Sequence, residues 1–213
     1  MRVYGLAAVS RGTRLAAEVR REEILAATIE HVQRVGLAST RVADVANTLG
    51  VSSGLLFYHF GTKDALIAEA FAYAAERDLA GLQRAIARGT DATDRLRRVL
   101  RLYGPTGSAA GWRLWIDAWG QTERAPLVHS VLRDLNARWC AALRGVVEDG
   151  VAEGSFTCAD EDSTLARVLA LLDGLSVAYL VYRSVTRTQI RRWVAEAVAL
   201  ELGLDSQILL SGR

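Results

Sequence analysis

Lysine is almost missing from this chain. Its 213 residues hold one, Lys63, against 25 arginines. Cysteine is scarce as well. Cys140 and Cys158 stand alone, which excludes a disulfide framework and gives no metal-ligand spacing, so a reduced cytoplasmic setting is the default expectation. Proline occurs twice, at Pro105 and Pro126, and long helices are therefore permitted nearly everywhere. No apolar run is read as approaching the ~20 residues that span a bilayer, so no membrane partner is expected. The N-terminus has no convincing signal-peptide core. No Gly-rich phosphate loop, H-E-x-x-H, C-x-x-C or G-x-S-x-G motif appears. The three histidines, His31, His59 and His129, lie far apart. Nothing asks for catalysis, a cofactor or a metal. Internal repeats and low-complexity tracts are not evident.

What is present points to an all-α protein. Hydrophobic residues make up 51% of the chain, enough for a substantial core, and leucine, alanine and arginine dominate. Arginine in place of lysine, with abundant alanine, fits a GC-rich bacterial genome. The net charge of +2 is too small to argue for a nucleic-acid partner by itself. Its distribution says more. Residues 1–63 carry eight basic and five acidic side chains, and the remainder 18 and 19. The excess lies in the N-terminal part.

Residues 40–63, TRVADVANTLGVSSGLLFYHFGTK, carry the most information. Val42, Val45, Ala46 and Leu49 follow the i, i+3, i+4, i+7 stripe of an amphipathic helix. Thr40 stands where an N-cap is expected. Gly50 stands where a left-handed C-cap is expected. Ser52 can cap a second short helix, on which Leu56 and Phe60 face inward. Ser53, Leu55, Tyr58 and His59 are left for the outer face. Two helices joined by a tight turn are the layout of a helix-turn-helix DNA reader.

Thr40, Asp44, Val45, Ala46, Gly50, Val51, Ser52, Gly54, Leu56, His59, Phe60, Lys63 and Leu66 together resemble the DNA-binding domain of tetracycline-repressor-type (TetR) transcription regulators. The resemblance runs from about Arg20 to Phe71; beyond it, length and helical layout fit but sequence does not. It implies a ligand pocket in a second, helical domain and a dimer built from the last two helices. From the outer face and the helix starts, contacts to double-stranded DNA are expected from Thr40, Arg41, Ser52, Ser53, Leu55, Tyr58, His59 and Lys63, with Thr40, Arg41 and Lys63, the last on the family's motif, holding phosphates. The chain departs from the family at Phe57. A tyrosine is usual there and commonly reaches a phosphate, a contact that the phenylalanine cannot make.

The expected organisation is an arm over residues 1–17, a helix-turn-helix domain over 18–63 and a ligand-binding and dimerisation domain over 64–213, with about nine helices in total. Arg11 and Arg14 in the arm can follow a DNA backbone, or the arm is simply solvated. The first helix runs from about Glu18 to Val35 and ends at Gly36. The fourth starts at Thr62 and continues towards Arg88. Five more are expected near 91–103, 109–122, 127–153, 161–184 and 187–203.

Trp112, Trp115 and Trp119 share one face of a helix. Such a stripe usually fills a core. Within the implied pocket, Tyr103, Trp112, Trp115, Trp119, Trp139 and Tyr179 suit a flat aromatic or a cationic effector. Phe156 and Tyr182 belong to the same set of candidates. Leu165, Val168, Leu169, Leu172, Leu175 and Leu180, then Ile190, Trp193, Val194, Ala197 and Val198, give two apolar helices for a homodimer through about 161–184 and 187–203. The reading is a ligand-responsive repressor, bound as a homodimer to a pseudo-palindromic operator and released by a small molecule. A helical binding protein whose helix-turn-helix no longer binds DNA is the alternative, and an uncharacterised helical enzyme is a third.

Overall fold

Every regular element among the residues described by the computed structural model, 5–103 and 109–211, is helical. Side chains are described from 17 to 102 and from 111 to 211. In chain order the helices are α1 (Gly5–Val35), α2 (Val42–Leu49), α3 (Ser53–Phe60), α4 (Lys63–Ala87), α5 (Ala92–Tyr103), α6 (Ala109–Trp119), α7 (Pro126–Ala152), α8 (Glu161–Val177), α9 (Arg187–Leu202) and α10 (Ser206–Leu210). A π-helical turn, Ala178–Tyr182, prolongs α8. The ninth helix of the sequence reading is α9. The short α10 was not anticipated, although Asp205 caps it by accepting from the Gln207 N–H. Residues 5–17, expected as an arm, are helical instead. They are rich in alanine, leucine and arginine and contain no proline, so nothing stops the helix from extending.

Residue contacts divide the chain into two compact units. The first runs to Ala74 and also includes Asp117–Val131. The second comprises Ala75–Ile116 and Leu132 onward. The division falls inside α4, eleven residues beyond the expected boundary at 63, because the first turns of α4 supply Leu66 and Ala70 to the first core.

The core of the first unit joins Ile24 and Leu25 of α1, Val45 and Ala46 of α2, Leu56 and Phe60 of α3, and Leu66 and Ala70 of α4. Burial of a large apolar side chain contributes ~1.5–3 kcal/mol, and four helices share this one cluster. Asp117 closes the turn after α1 by accepting from the Leu37 N–H.

In the second unit Leu82, Val99, Leu143, Leu172, Ile190 and Leu202 are among the residues of a larger core. Asp160 caps α8 through the Ser163 N–H at 3.1 Å. Thr186 and Gln189 form a reciprocal capping box at the start of α9. Arg167 of α8 pairs with Glu201 of α9, and the Thr164 hydroxyl donates to the same carboxylate at 3.0 Å. Gly150 lies against Phe156 so closely that a Cβ there would sit 2.0 Å from the ring, which only glycine permits.

The segment Glu161–Tyr182 is longer and more apolar than the sequence reading allowed. By length and composition it matches a membrane span. Its Leu165, Val168, Leu169 and Leu172 are nevertheless buried in the core of the second unit. The expectation that no run approaches that length is therefore corrected.

Candidate functional site

The reading helix is set by both of its ends. Gly50 takes the left-handed conformation (φ 66°) that closes α2 and lets the chain turn. Ser52 then adopts an extended backbone, and its hydroxyl accepts from the Leu55 N–H at 3.4 Å. Leu56 and Phe60 point into the core, as their spacing of four requires. The same rotation turns Phe57 (46% exposed) and Tyr58 (83% exposed) outward. Ser53, Leu55 and His59 are half-buried at the edges of this face. The Tyr58 and His59 rings meet edge to face, with centroids 5.4 Å apart.

Arg21 fixes the far end of α3. From α1 it donates to the His59 carbonyl at 2.7 Å, pairs with Glu69 of α4, and lies over the Phe60 ring, 4.4 Å from its centroid. Sequence reading missed this residue, because its partners lie 38 and 48 positions away.

Two positive side chains, Arg41 and Lys63, line one concavity. Arg41 precedes α2, and Lys63 opens α4 one residue after Thr62, whose hydroxyl accepts from the Ala65 N–H at 3.1 Å. Both line a concavity of about 430 Å³ together with His31, Val35, Ala38, Ser39 and Asp44. Arg34 donates to Nδ1 of His31 at 2.9 Å.

Thr40 does not join them. It is 1% exposed, and its hydroxyl donates to the Gly36 carbonyl at 2.8 Å. The N-cap of α2 is Arg41 instead, without a side-chain bond. The threonine closes the loop between α1 and α2 and is not part of the outer surface.

The aromatic candidates of the second half separate. Tyr103 lies outside the described side chains. Trp139 is buried in the large core with Leu143 and Leu172. Phe156 is in the same core, and Tyr182 is exposed. Tyr179 accepts from Arg187 Nε at 2.8 Å beneath the same guanidinium. Trp119 belongs to the first unit. Trp112 and Trp115 remain in the second, both half-buried on α6.

Trp115 has a partner that the sequence reading did not name. Its indole N–H donates to the carboxylate of Asp78 on α4. Burial pushes the Asp78 carboxyl above the usual aspartate range, against the opposing pull of that hydrogen bond and of the Arg77 charge. Gly111, one turn before Trp115, leaves Asp78 Oδ2 3.8 Å from where a Cβ would stand. Glu76, two residues earlier, is held below the usual glutamate range, mainly by its hydrogen bond from Arg138.

Comparison with known proteins identifies this architecture. The model for bacterial regulatory proteins of the tetR family matches residues 24–70. The C-terminal model for BetI-type transcriptional repressors matches residues 92–203, more than half of the chain. The chain belongs to the tetR family. It is a DNA-binding transcription regulator, a ligand-responsive repressor by type. The HTH-type transcriptional regulator BetI of Burkholderia cenocepacia (strain HI2424) is 33% identical over 132 residues, which cover 58% of this chain and 68% of that protein. BetI of Stenotrophomonas maltophilia (strain R551-3) is 30% identical over 115 residues, 51% of this chain and 57% of that one. A TetR-family regulator from Rhodococcus sp. superposes with a TM-score of 0.74 at 26% identity, over 86% of this chain and 98% of that one. A transcriptional regulator from Saccharomonospora viridis, solved in complex with choline, gives a TM-score of 0.80 at 24% identity, over 87% and 98%. That last likeness is one of fold.

Proposed function

We propose that this tetR-family repressor reads a two-fold symmetric operator as a homodimer and leaves it when an organic cation binds the second unit. The observation that carries the DNA side is the face of α3. Tyr58 is 83% exposed on a helix anchored by buried Leu56 and Phe60, with Arg41 and Lys63 lining one concavity. A helix of this kind fits a major groove. Ser53, Leu55, Tyr58 and His59 meet base edges or thymine methyls. Ser52 spends its hydroxyl on the cap. Arg41 and Lys63 hold phosphates and set the register, while buried Thr40 contributes none. Phe57 packs its ring against the backbone of the groove without a hydroxyl to offer.

One such reader covers a half-site, so the operator requires two copies. The apolar surface for pairing is on α8, its π-turn and α9. Leu200 is 85% exposed and Val181 is half-exposed. Ala166, Ala170 and Gly174 leave α8 bare at four-residue intervals. Two copies meeting through these helices form a four-helix contact. The protein works in the cytoplasm, where its DNA is.

An effector of cationic character is supported by the BetI-type C-terminal match and by the choline seen in the S. viridis regulator. Trp112 and Trp115 offer it indole faces. Lys63 and Asp78 lie on one helix, α4, so occupancy of the second unit bears on the helix that carries a phosphate-holding residue.

Selection of bound duplexes from a random DNA pool at fixed salt tests the reading. A recovered two-fold symmetric site supports it. A protein that stays dimeric and enriches no sequence sinks it.

A further inference from the structure

We propose that the concavity lined by Arg41 and Lys63 is a built oxyanion site, in which buried His31 supplies a third, uncharged donor. The inference deepens the reading of Arg41 and Lys63 as phosphate-holding residues and rests on it. His31 is not among the positions that carry the family resemblance.

The protonation pattern of His31 follows from its one partner. The residue lies on α1 and is 5% exposed. Arg34, one turn further along α1, reaches Nδ1 at 2.9 Å. A guanidinium has no lone pair to offer, so Nδ1 accepts that hydrogen bond. The ring proton then belongs to Nε2, and the imidazole is neutral. Nε2 is buried and meets no hydrogen-bond partner. A buried N–H without an acceptor is unfavourable, and an apolar side chain of similar size would avoid the cost. An acceptor from outside the chain removes it.

The surroundings say what that acceptor is. His31 lines the concavity of about 430 Å³ together with Ser39, Arg41, Asp44 and Lys63. Among the described residues neither Arg41 nor Lys63 forms an ion pair. Two unpaired cations therefore face a single carboxylate, that of Asp44, and Ser39 adds a hydroxyl. Such a lining favours an anion. A phosphate group has oxygens enough to accept from the imidazole N–H, the guanidinium and the ammonium together. The backbone of DNA and free inorganic phosphate share that chemistry.

The roles within the site differ in kind. Arg41 and Lys63 bring charge, so their contacts displace counterions and respond to salt. His31 brings a hydrogen bond without charge. Its contribution should be felt equally on every sequence and should leave the salt dependence alone.

The test uses the full-length protein as wild type, His31→Leu and His31→Gln. Binding to a random-sequence duplex is measured over a salt series. His31→Leu is expected to weaken it by about tenfold, the order of one hydrogen bond to a charged group, with an unchanged salt slope. Its thermal melt should match or exceed that of the wild type, since the unpartnered donor is gone. His31→Gln keeps an N–H near the place of Nε2 and is expected to recover part of the affinity; it decides the matter if the leucine variant folds poorly. Side-chain nitrogen NMR, simplified by a total of three histidines, follows Nε2 of His31 while inorganic phosphate or duplex is added. Movement with both probes, or with duplex alone, supports the site, and the second result assigns the oxyanion to the DNA backbone. Movement with phosphate in a protein that binds no duplex keeps the site and sinks the DNA reading. A signal that moves with neither probe overturns the site. Duplex binding by both variants equal to that of the wild type overturns it too, as does a salt slope that falls by about one unit in His31→Leu, the mark of a cation.

Discussion

The guanidinium of Arg21 covers the ring of Phe60, 4.4 Å from its centroid, and donates to the carbonyl of the preceding residue, His59. One side chain of α1 thus clamps the end of the reading helix from two directions. Arg21→Ala removes the stacking, the hydrogen bond and the pair with Glu69. We expect a loss of about 1–2 kcal/mol in unfolding free energy, given the partial exposure of the pair. Operator affinity should fall as well, because α3 loses its anchor. Denaturant unfolding and operator binding, measured together, check this; unchanged stability removes Arg21 from the clamp.

Lys63 and Thr40 should behave oppositely. Lys63→Ala is expected to weaken binding to all DNA sequences alike and to lower the salt slope by about one unit. Arg41→Ala should do the same. Thr40→Val deletes a buried hydroxyl bonded to Gly36, so it should cost about 1 kcal/mol of stability with an unaltered salt slope. Binding isotherms across a salt series separate the two classes.

Tyr58→Ala removes the most exposed side chain of α3. Operator affinity should drop more than non-specific affinity, by about 1–3 kcal/mol for a base-reading contact. Equal losses on operator and random duplex would make Tyr58 a positioning residue.

Leu200→Arg places a charge on the proposed dimer face without touching the core, since Leu200 is almost fully exposed. Helicity and melting of the subunit should persist while sedimentation shifts from dimer to monomer. A variant that remains dimeric at micromolar concentration directs the search to another surface.

Titration gives a further test. Asp78 carries a raised carboxyl, so folding favours its protonated form. Its contribution to stability is complete below the ordinary aspartate range and is lost as pH rises through the higher folded value. Asp78→Asn should therefore leave neutral-pH stability equal or higher. Glu201 is the opposite case. Its carboxylate, bonded by Arg167 and Thr164, is held below the usual glutamate range, and the stability it lends disappears as pH falls through that lowered value. Melting curves from pH 7 to pH 3, compared for wild type, Asp78→Asn and Glu201→Gln, resolve the two signs.

Local patterns in the chain made much of the first unit legible. The stripe at Val45 and Ala46, the glycine at 50 and the serine at 52 each specify a short-range structure, and all three appear. Thr62 and the inward pair Leu56 and Phe60 follow from the same periodicity. Long-range relations were not legible. Arg21 looks like any helical arginine until α3 and α4 pack beside it. Thr40 has the composition of a cap, but the loop from Gly36 draws it inward. The tryptophan stripe reads as one surface, whereas packing assigns Trp119 to one unit and Trp112 and Trp115 to the other. Asp78 has no pattern of its own; only the approach of α6 distinguishes it from Glu76.

Lys63 offers a practical consequence. It carries the sole ε-amine of the chain and lines the same concavity as Arg41. Apart from the α-amino group, an amine-selective reagent therefore has one target, placed where DNA is proposed to lie. Acylation there reports occupancy directly, since bound duplex shields the amine and effector-driven release uncovers it. The same chemistry allows a dye or crosslinker to be attached at a single known point without engineering the sequence.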